Sequence, residues 1–296
     1  MKFMSFMVDE NEKYGIVDEA RLGVWDIVQF AKDQQIDYPA SLQEMIEGGE
    51  DSAKLVKELY RKASETEQYF LSFDELTWLA PLTRPRKNIM CVGKNYRDHA
   101  IEMGSEADIP EHVMVFTKAP TTVTGHLQSI ERHEKLTSEL DYEGELALVI
   151  GKKGRNIARD KALDFVFGYT IINDITARDL QQRHKQFFIG KSLDTSCPIG
   201  PWIVHKEELP EPGKLSITTK VNGEIRQQSN TEHFIFPIEE IISVLSRGMT
   251  LEPGDIIATG TPAGVGKGFK PPRFLQKGDE IEIEIEKIGK LNNIVK

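Results

Sequence analysis

Cysteine is scarce in this chain, which contains only Cys91 and Cys197 in 296 residues. The two cysteines are far apart and form no Cys-x-x-Cys pair, so the sequence predicts neither a disulfide framework nor a zinc ribbon. Cys91 lies in a short apolar stretch and is expected to be a small buried residue. We therefore expect a reduced, cytoplasmic protein.

Long apolar runs and clusters of basic residues are also missing. Nothing in the sequence approaches the roughly 18 apolar residues of a membrane span, and an acidic turn follows residues 1–8, where a signal peptide would need its apolar region. Acidic residues outnumber basic ones by 47 to 37, and the resulting net charge of −10 disfavours nucleic acid or an anionic membrane as a partner. The 39% hydrophobic content is ordinary for a soluble folded protein, and the length suggests about two domains.

The glycine-rich segment 260–268 lacks the patterns of a nucleotide-binding loop. The phosphate-loop pattern needs Gly where this chain has Thr261, and Ser or Thr where it has Gly268. The dinucleotide pattern fails because Phe269 stands in place of the third Gly. These departures exclude both kinds of nucleotide site.

Residues 1–80 predict a small α+β domain. Two short strands are expected at 2–8 and 13–18, and apolar residues recur at helical spacing between 52 and 65. This part carries no chemical motif. We predict a cap or an interaction surface there, and a non-catalytic protein that binds a partner through residues 1–80 stays an alternative.

Pro81 and Pro85 flank a predicted boundary, because proline and the residue before it suit connecting segments. Beyond it, many short apolar runs separated by turns indicate a mostly β domain over residues 86–296. Asn-Gly at 222–223 predicts a tight hairpin turn, and residues 237–247 predict the clearest helix.

A pair of carboxylates interrupts an apolar run at residues 140–150. Read as one strand, this run places Glu143 and Glu145 on the same face, with Cα atoms roughly 6.6 Å apart. The strand is apolar on both faces, unlike residues 277–286, where alternating Glu and Ile predict one solvated face and one buried face. Buried paired carboxylates need a cation or a proton to balance their charge.

A second apolar run, residues 165–173, predicts a strand that delivers Asp174 at its end. Thr176 and Asp179 then resemble a capping box at the start of a helix.

Seven segments beyond residue 85 together resemble the fumarylacetoacetate hydrolase superfamily. In chain order they are 93–99, 140–146, 168–179, 190–192, 198–201, 221–224 and 253–266. The resemblance covers residues 86–296 and implies an α+β protein, with a mostly β, rolled mixed-sheet catalytic domain that usually forms a homodimer. The implied metal ligands are Glu143, Glu145 and Asp174, and an all-oxygen site without histidine suits Mg²⁺ or Mn²⁺.

The resemblance also implies further site residues. Lys191 would hold a substrate oxygen, and His99 with Glu102, three residues apart on one helix face, would activate water or relay a proton. Positions that would line the substrate carboxylate are Arg178, Gln181 and Thr261, although Arg178 could instead brace the metal strand.

Members of the family act on 2-oxo acids and β-diketo acids, so a small 2-oxo acid is the expected substrate. A metal-bound enolate would serve several reactions on such acids. We expect an oxaloacetate decarboxylase, with an acylpyruvate hydrolase as the near alternative. An isomerase or decarboxylase of hydroxymuconate-type compounds is a third possibility.

Overall fold

The computed structural model describes residues 1–296, in which groups of consecutive strands are interrupted by seven α-helices. The first elements are β1 (Lys2–Val8), β2 (Asn11–Asp18), β3 (Gly23–Trp25), α1 (Ile27–Asp33), α2 (Leu42–Glu47), α3 (Gly49–Ala63), β4 (Phe70–Ser72) and β5 (Thr77–Trp78). The next elements are β6 (Ile89–Gly93), α4 (Arg97–Glu102), β7 (Met114–Lys118), β8 (Val123–Thr124), β9 (Ser129–Ile130), β10 (Leu140–Asp141), β11 (Gly144–Ile150) and β12 (Val166–Asn173). The last elements are β13 (Thr176–Ala177), α5 (Arg178–His184), α6 (Phe188–Lys191), β14 (Cys197–His205), β15 (Ser216–Val221), β16 (Glu224–Asn230), α7 (Ile238–Ser246), β17 (Ile256–Ala258), β18 (Glu280–Ile285) and β19 (Gly289–Val295).

A 12-stranded mixed sheet dominates the fold, with strand order β4-β3-β2-β1-β14-β12-β11-β17-β6-β7, while β5 pairs with β1 and β8 with β14. A second sheet of five strands has the order β16-β15-β18-β19-β9, and β10 pairs with β13. Most neighbours are antiparallel, but β17 and β6 run parallel. The expected α+β class with mixed sheets is confirmed.

The N-terminal strands continue the large sheet. Lys2 of β1 lies opposite Val204 of β14, so the first strand is hydrogen-bonded directly to the C-terminal part of the chain. The division between residues 1–80 and 86–296 stays a prediction. None of the helices has both the length and the apolar composition that crossing a bilayer requires.

Strand β11 lies between two hydrophobic cores, as its apolar composition predicted. Leu146 and Leu148 pack into the core shared with α7 and the five-stranded sheet, whereas Ala147 and Val149 pack into the core beneath the N-terminal helices. Because both faces are covered, any charged side chain at the start of this strand is removed from bulk water.

Two patterns in the five-stranded sheet also match the sequence predictions. Asn222 and Gly223 form the turn between β15 and β16 with φ values of 52° and 79°. In β18, Ile281, Ile283 and Ile285 are buried, while Glu280 and Glu284 are exposed. The row of glutamates on this strand is therefore a solvated face, in contrast to the pair in front of β11.

Two local predictions were wrong. Residues 140–150 are not one strand, because β10 ends at Asp141 and β11 begins at Gly144. Thr176 does not cap α5, since it lies in β13 and donates its hydroxyl to Asp174 O, while Ala177 occupies the cap position. The Asp179 carboxylate accepts from Thr137 Oγ1 and Ser138 N of a neighbouring loop, and from Leu180 N in the first turn of α5.

Candidate metal and substrate site

Three carboxylates meet where the start of β11 lies beside the end of β12. Gly144 is paired with Asn173 across these antiparallel strands, and Asp174 N donates to Glu143 O at 2.8 Å. One oxygen each from Glu143, Glu145 and Asp174 lies within 4.8 Å of the others, and all three residues are at most 5% exposed. The structure thus brings together the three predicted metal ligands, although Glu143 lies just outside the strand.

Two of these carboxylates are paired with buried cations. Lys191 Nζ lies 2.7 Å from Glu143 Oε2 and 2.6 Å from Asp174 Oδ2. Arg178 joins Glu143 Oε1 to Asp141 Oδ2 through contacts of 2.7 and 2.8 Å. Arg178 therefore braces the short connection between β10 and β11 that carries Glu143, in line with the alternative role expected for this residue.

Lys118 is a third buried cation, and sequence reasoning missed it. The side chain is fully buried at the end of β7, with Nζ 2.8 Å from Asp174 Oδ1 and 2.9 Å from Ile175 O. No motif marks it, because a buried lysine and a solvated one look the same in sequence. The ion pair between Lys118 and Asp174 becomes apparent only in the folded structure, where β7 lies close to the loop after β12.

Replacing Lys118 with methionine should destabilise the metal-free protein by about 3–5 kcal/mol, because it leaves a buried Asp174 oxygen without its cation. Urea denaturation in the presence of a chelator measures this change. Lys290→Met is the matched control, since Lys290 is 46% exposed in its surface ion pairs and should change the free energy of unfolding by at most about 1 kcal/mol. Equal effects of the two substitutions would contradict the prediction.

Glu145 differs from the other two carboxylates because no lysine, arginine or histidine nitrogen lies within ion-pair distance of it. Its Oε2 accepts only from Gly260 N, at 2.7 Å. Burial, together with the nearby charges of Asp174 and Glu143, holds the pKa of Glu145 well above its ordinary value. This is the carboxylate whose charge remains uncompensated.

Glu143 has the opposite shift. Burial alone would raise its pKa, but Lys191, Arg178 and His99 together outweigh burial and hold the pKa of Glu143 far below its ordinary value. Burial would likewise lower the pKa of Lys191, yet Asp174 and Glu143 raise it above its ordinary value. The two groups therefore stay ionised at neutral pH.

The net charge of the cluster is compatible with a bound divalent cation. Asp141, Glu143, Glu145 and Asp174 carry four negative charges when ionised, against three positive charges on Lys118, Arg178 and Lys191. When all four are ionised, one unit of negative charge is left over, and Glu145 is the member without a cationic partner. An ion such as Mg²⁺ or Mn²⁺ would change the net charge of the ionised cluster from negative to positive. Such an ion also suits the all-oxygen ligands.

The cysteines do not add sulfur ligands. Both are free and fully buried. Burial and the charges of Asp174 and Glu145 raise the pKa of Cys91 well above its ordinary value, and burial raises that of Cys197 to about 12. Neither cysteine belongs to the group of candidate metal ligands, whose three members are all carboxylates, so the donor set favours a hard cation over a thiophilic one.

The predicted histidine–glutamate pair lies on α4 beside this cluster. His99 is 6% exposed, and its Nδ1 lies 3.3 Å from Glu102 Oε2. Glu102 Oε1 accepts from Gly264 N at 2.9 Å, which ties α4 to the glycine-rich loop. His99 is close enough to Glu143 for its charge to lower the pKa of that carboxyl group. A role of this pair in proton transfer stays a prediction.

The two remaining predicted substrate residues are engaged with the protein. Gln181 Oε1 accepts from Arg178 Nη1 over a long 3.4 Å. The Thr261 hydroxyl donates to Gly144 O at 2.9 Å and accepts from Gln227 Nε2 at 2.7 Å. A role of these residues in substrate binding stays a prediction. Gln227 was also missed by sequence reasoning, because it lies in an ordinary hairpin strand.

Comparisons with known proteins agree with this fold. Residues 88–296 match the family described as fumarylacetoacetate (FAA) hydrolase, C-terminal. Oxaloacetate tautomerase YisK of Bacillus subtilis is 60% identical over 259 residues, which are 86% of each chain. A fumarylacetoacetate hydrolase structure from Exiguobacterium antarcticum is 43% identical, with a TM-score of 0.85 over 100% of this chain and 99% of that chain. The structure of maleylpyruvate hydrolase from a Sphingobium species is 27% identical, with a TM-score of 0.79 over 100% and 99%.

Proposed function

Because the chain belongs to the fumarylacetoacetate hydrolase family, we propose that it is an enzyme that interconverts the enol and keto forms of oxaloacetate. The observation that carries the proposal is the position of the buried His99, paired with the half-buried Glu102, beside a cluster of carboxylates and lysines. Tautomerisation needs both features, since a proton leaves carbon while negative charge develops on oxygen. The similar oxaloacetate tautomerase supports the choice of acid.

Glu143, Glu145 and Asp174 would hold Mg²⁺ or Mn²⁺, and the bound ion would polarise the keto oxygen and offset the charge that develops on it. Lys191 would add a second positive charge near that oxygen. Because its pKa lies above the ordinary value, Lys191 stays protonated at neutral pH and acts through its charge rather than as a base.

His99 would move the proton. In the direction from keto to enol, the bond between hydrogen and the carbon next to the keto group breaks, and the imidazole takes the proton. The enolate oxygen then takes up a proton, so the net change is the transfer of one proton from carbon to oxygen. Glu102, fixed by Gly264 N, would orient the ring and stabilise its charged form.

Decarboxylation of oxaloacetate is the second candidate. Decarboxylation passes through the same enolate, but the electron pair of the enolate comes from the bond to the departing CO₂. No base is therefore needed to form the enolate. The buried cations Lys191 and Lys118 favour this reaction independently of His99. Hydrolysis of an acylpyruvate would require His99 to activate water instead, as the similarity to maleylpyruvate hydrolase suggests.

The test is an assay of purified protein with Mg²⁺ on freshly dissolved enol oxaloacetate. We expect the enol absorbance to fall faster than with Mg²⁺ alone, without matching release of pyruvate. His99→Gln should slow this change by about 10²- to 10⁴-fold. Pyruvate formed at the rate of enol loss, with little effect of His99→Gln, would favour the decarboxylase, and acetate from acetylpyruvate would favour the hydrolase.

A further inference from the structure

Gly144 separates two of the proposed metal ligands, and side chains hold its backbone on both sides. Its N–H donates to Gln227 Oε1 at 3.0 Å, and its carbonyl accepts from the Thr261 hydroxyl at 2.9 Å. Gln227 Nε2 in turn donates to Thr261 Oγ1 at 2.7 Å and to Pro262 O at 2.8 Å. Gly144, Gln227 and Thr261 thus form a closed ring of hydrogen bonds, which we call the Gly144 ring.

The Gly144 ring controls the two peptide groups that connect the ligands. The N–H of Gly144 belongs to the peptide plane shared with Glu143, and its carbonyl belongs to the plane shared with Glu145. Because peptide groups are planar, fixing both fixes the backbone dihedral angles of residue 144 and hence the directions of the flanking side chains. Gln227 and Thr261 are 0% and 2% exposed, so water cannot replace these bonds.

The packing around Gly144 also requires the absence of a side chain. A Cβ atom there would lie 2.3 Å from Thr219 Oγ1, so no other residue fits without movement of this layer. Thr219 itself is fully buried, and its hydroxyl makes no hydrogen bond. Thr219 therefore packs against Gly144 but is not part of the Gly144 ring.

We propose that Gln227 is a positioning residue that sets the relative orientation of Glu143 and Glu145 through the Gly144 ring. The proposal rests on the metal site of the proposed function. Gln227 hydrogen-bonds to Gly144 N, to Pro262 O and to the Thr261 hydroxyl, and to neither ligand side chain. Its amide supplies both the acceptor for Gly144 N and the donor for Thr261, which an apolar side chain of equal size cannot do.

The experiment measures the rise in melting temperature of metal-free protein with increasing MnCl₂, together with kcat and KM at saturating Mn²⁺. Gln227→Met and Thr261→Val each break the Gly144 ring, and both should weaken the apparent Mn²⁺ affinity by about 10- to 100-fold. Thr261→Ser keeps the hydroxyl and should keep the affinity. Thr219→Val alters the same buried layer without breaking the ring and should also bind Mn²⁺ like the wild type.

The outcomes separate this proposal from the proposed function. If the wild type shows no response to MnCl₂, the metal site itself is wrong. If the wild type responds and Gln227→Met responds at the same concentrations, only the positioning role is overturned. Equal losses in Thr219→Val and Gln227→Met would overturn it too. The same holds if both ring-breaking variants fail to fold while Thr219→Val folds, since the ring would then serve the fold rather than the metal.

Discussion

Lys191→Met is expected to lower kcat for oxaloacetate tautomerisation by about 10²- to 10³-fold, the loss seen when one preorganised donor is removed from an active site. Lys191 is 1% exposed, and its ammonium lies 2.7 Å from Glu143 and 2.6 Å from Asp174. Methionine fills a similar volume but carries no charge, so the electrostatic stabilisation of the enolate is what the substitution removes. The measurement is the initial rate of enol loss at saturating Mg²⁺.

Two controls test whether such a loss of kcat comes from the missing charge at the site. Lys153→Met removes a lysine that is 69% exposed in a surface ion pair and should leave the rate unchanged. Circular dichroism at saturating Mg²⁺ should show that Lys191→Met is folded. The variant should keep the pH profile of the wild type, whereas His99→Gln should change it, because only the histidine is expected to exchange a proton. Retention of more than half of the wild-type rate by Lys191→Met would reject the electrostatic role.

Glu145→Gln is expected to abolish the metal response and to stabilise the metal-free protein at neutral and alkaline pH. The carboxylate is 1% exposed, it has no cationic partner, and burial and neighbouring charges raise its pKa. The neutral amide removes this uncompensated charge. It also removes a metal ligand, so the stabilisation by metal, about 2.7 kcal/mol at 100 times the dissociation constant, should disappear.

The pH dependence follows from the raised pKa of Glu145. The unfolded chain loses this proton near pH 4.5, whereas the folded chain retains it to a higher pH. The folded state then binds more protons, so the stability of the metal-free protein falls as the pH rises above about 4.5. Glu143 has a lowered pKa, and its opposite contribution is already complete at that pH. Of these two carboxyl groups, only Glu145 lowers the stability of the metal-free protein as the pH rises above about 4.5.

Denaturation in a chelator at pH 5 to 9 measures this decline. The wild type should lose stability relative to Glu145→Gln as the pH rises over this range, because only the wild type has a carboxyl group at this position. Glu280→Gln is the control, since Glu280 lies on the solvated face of β18 and should follow the wild type. A Glu145→Gln curve that runs parallel to that of the wild type would contradict the raised pKa of Glu145.

The sequence predicted the central features of the site because they follow from local pattern. The apolar residues on both faces of the strand after Glu145 indicated a doubly covered strand, and β11 indeed lies between two cores. The apolar run before Asp174 placed that residue at a strand end, and antiparallel pairing of β11 with β12 brings the two together. The resemblance to the family supplied the rest of the ligand set.

Other features depended on contacts between distant segments and left no pattern in the sequence. The gap between β10 and β11 exists because Glu143 N bonds to Asn173 Oδ1 and Gly144 N to Gln227 Oε1, instead of to a ladder partner. A period-two pattern continues through such a gap, so the pattern predicts one unbroken strand. The capping box failed for the same reason, since pairing with β10 places Thr176 in a strand.

The order of apolar and acidic residues along the chain therefore determined which carboxylates are buried, because periodicity decides which face of a strand meets a core. The tertiary structure decided how their charge is balanced. Lys118, Arg178 and Lys191 reach the cluster from three different elements, and Gln227 approaches from a separate sheet. Coulomb forces and hydrogen bonds act over distances in space, so the partners of a buried charge become known only when the folded chain places them.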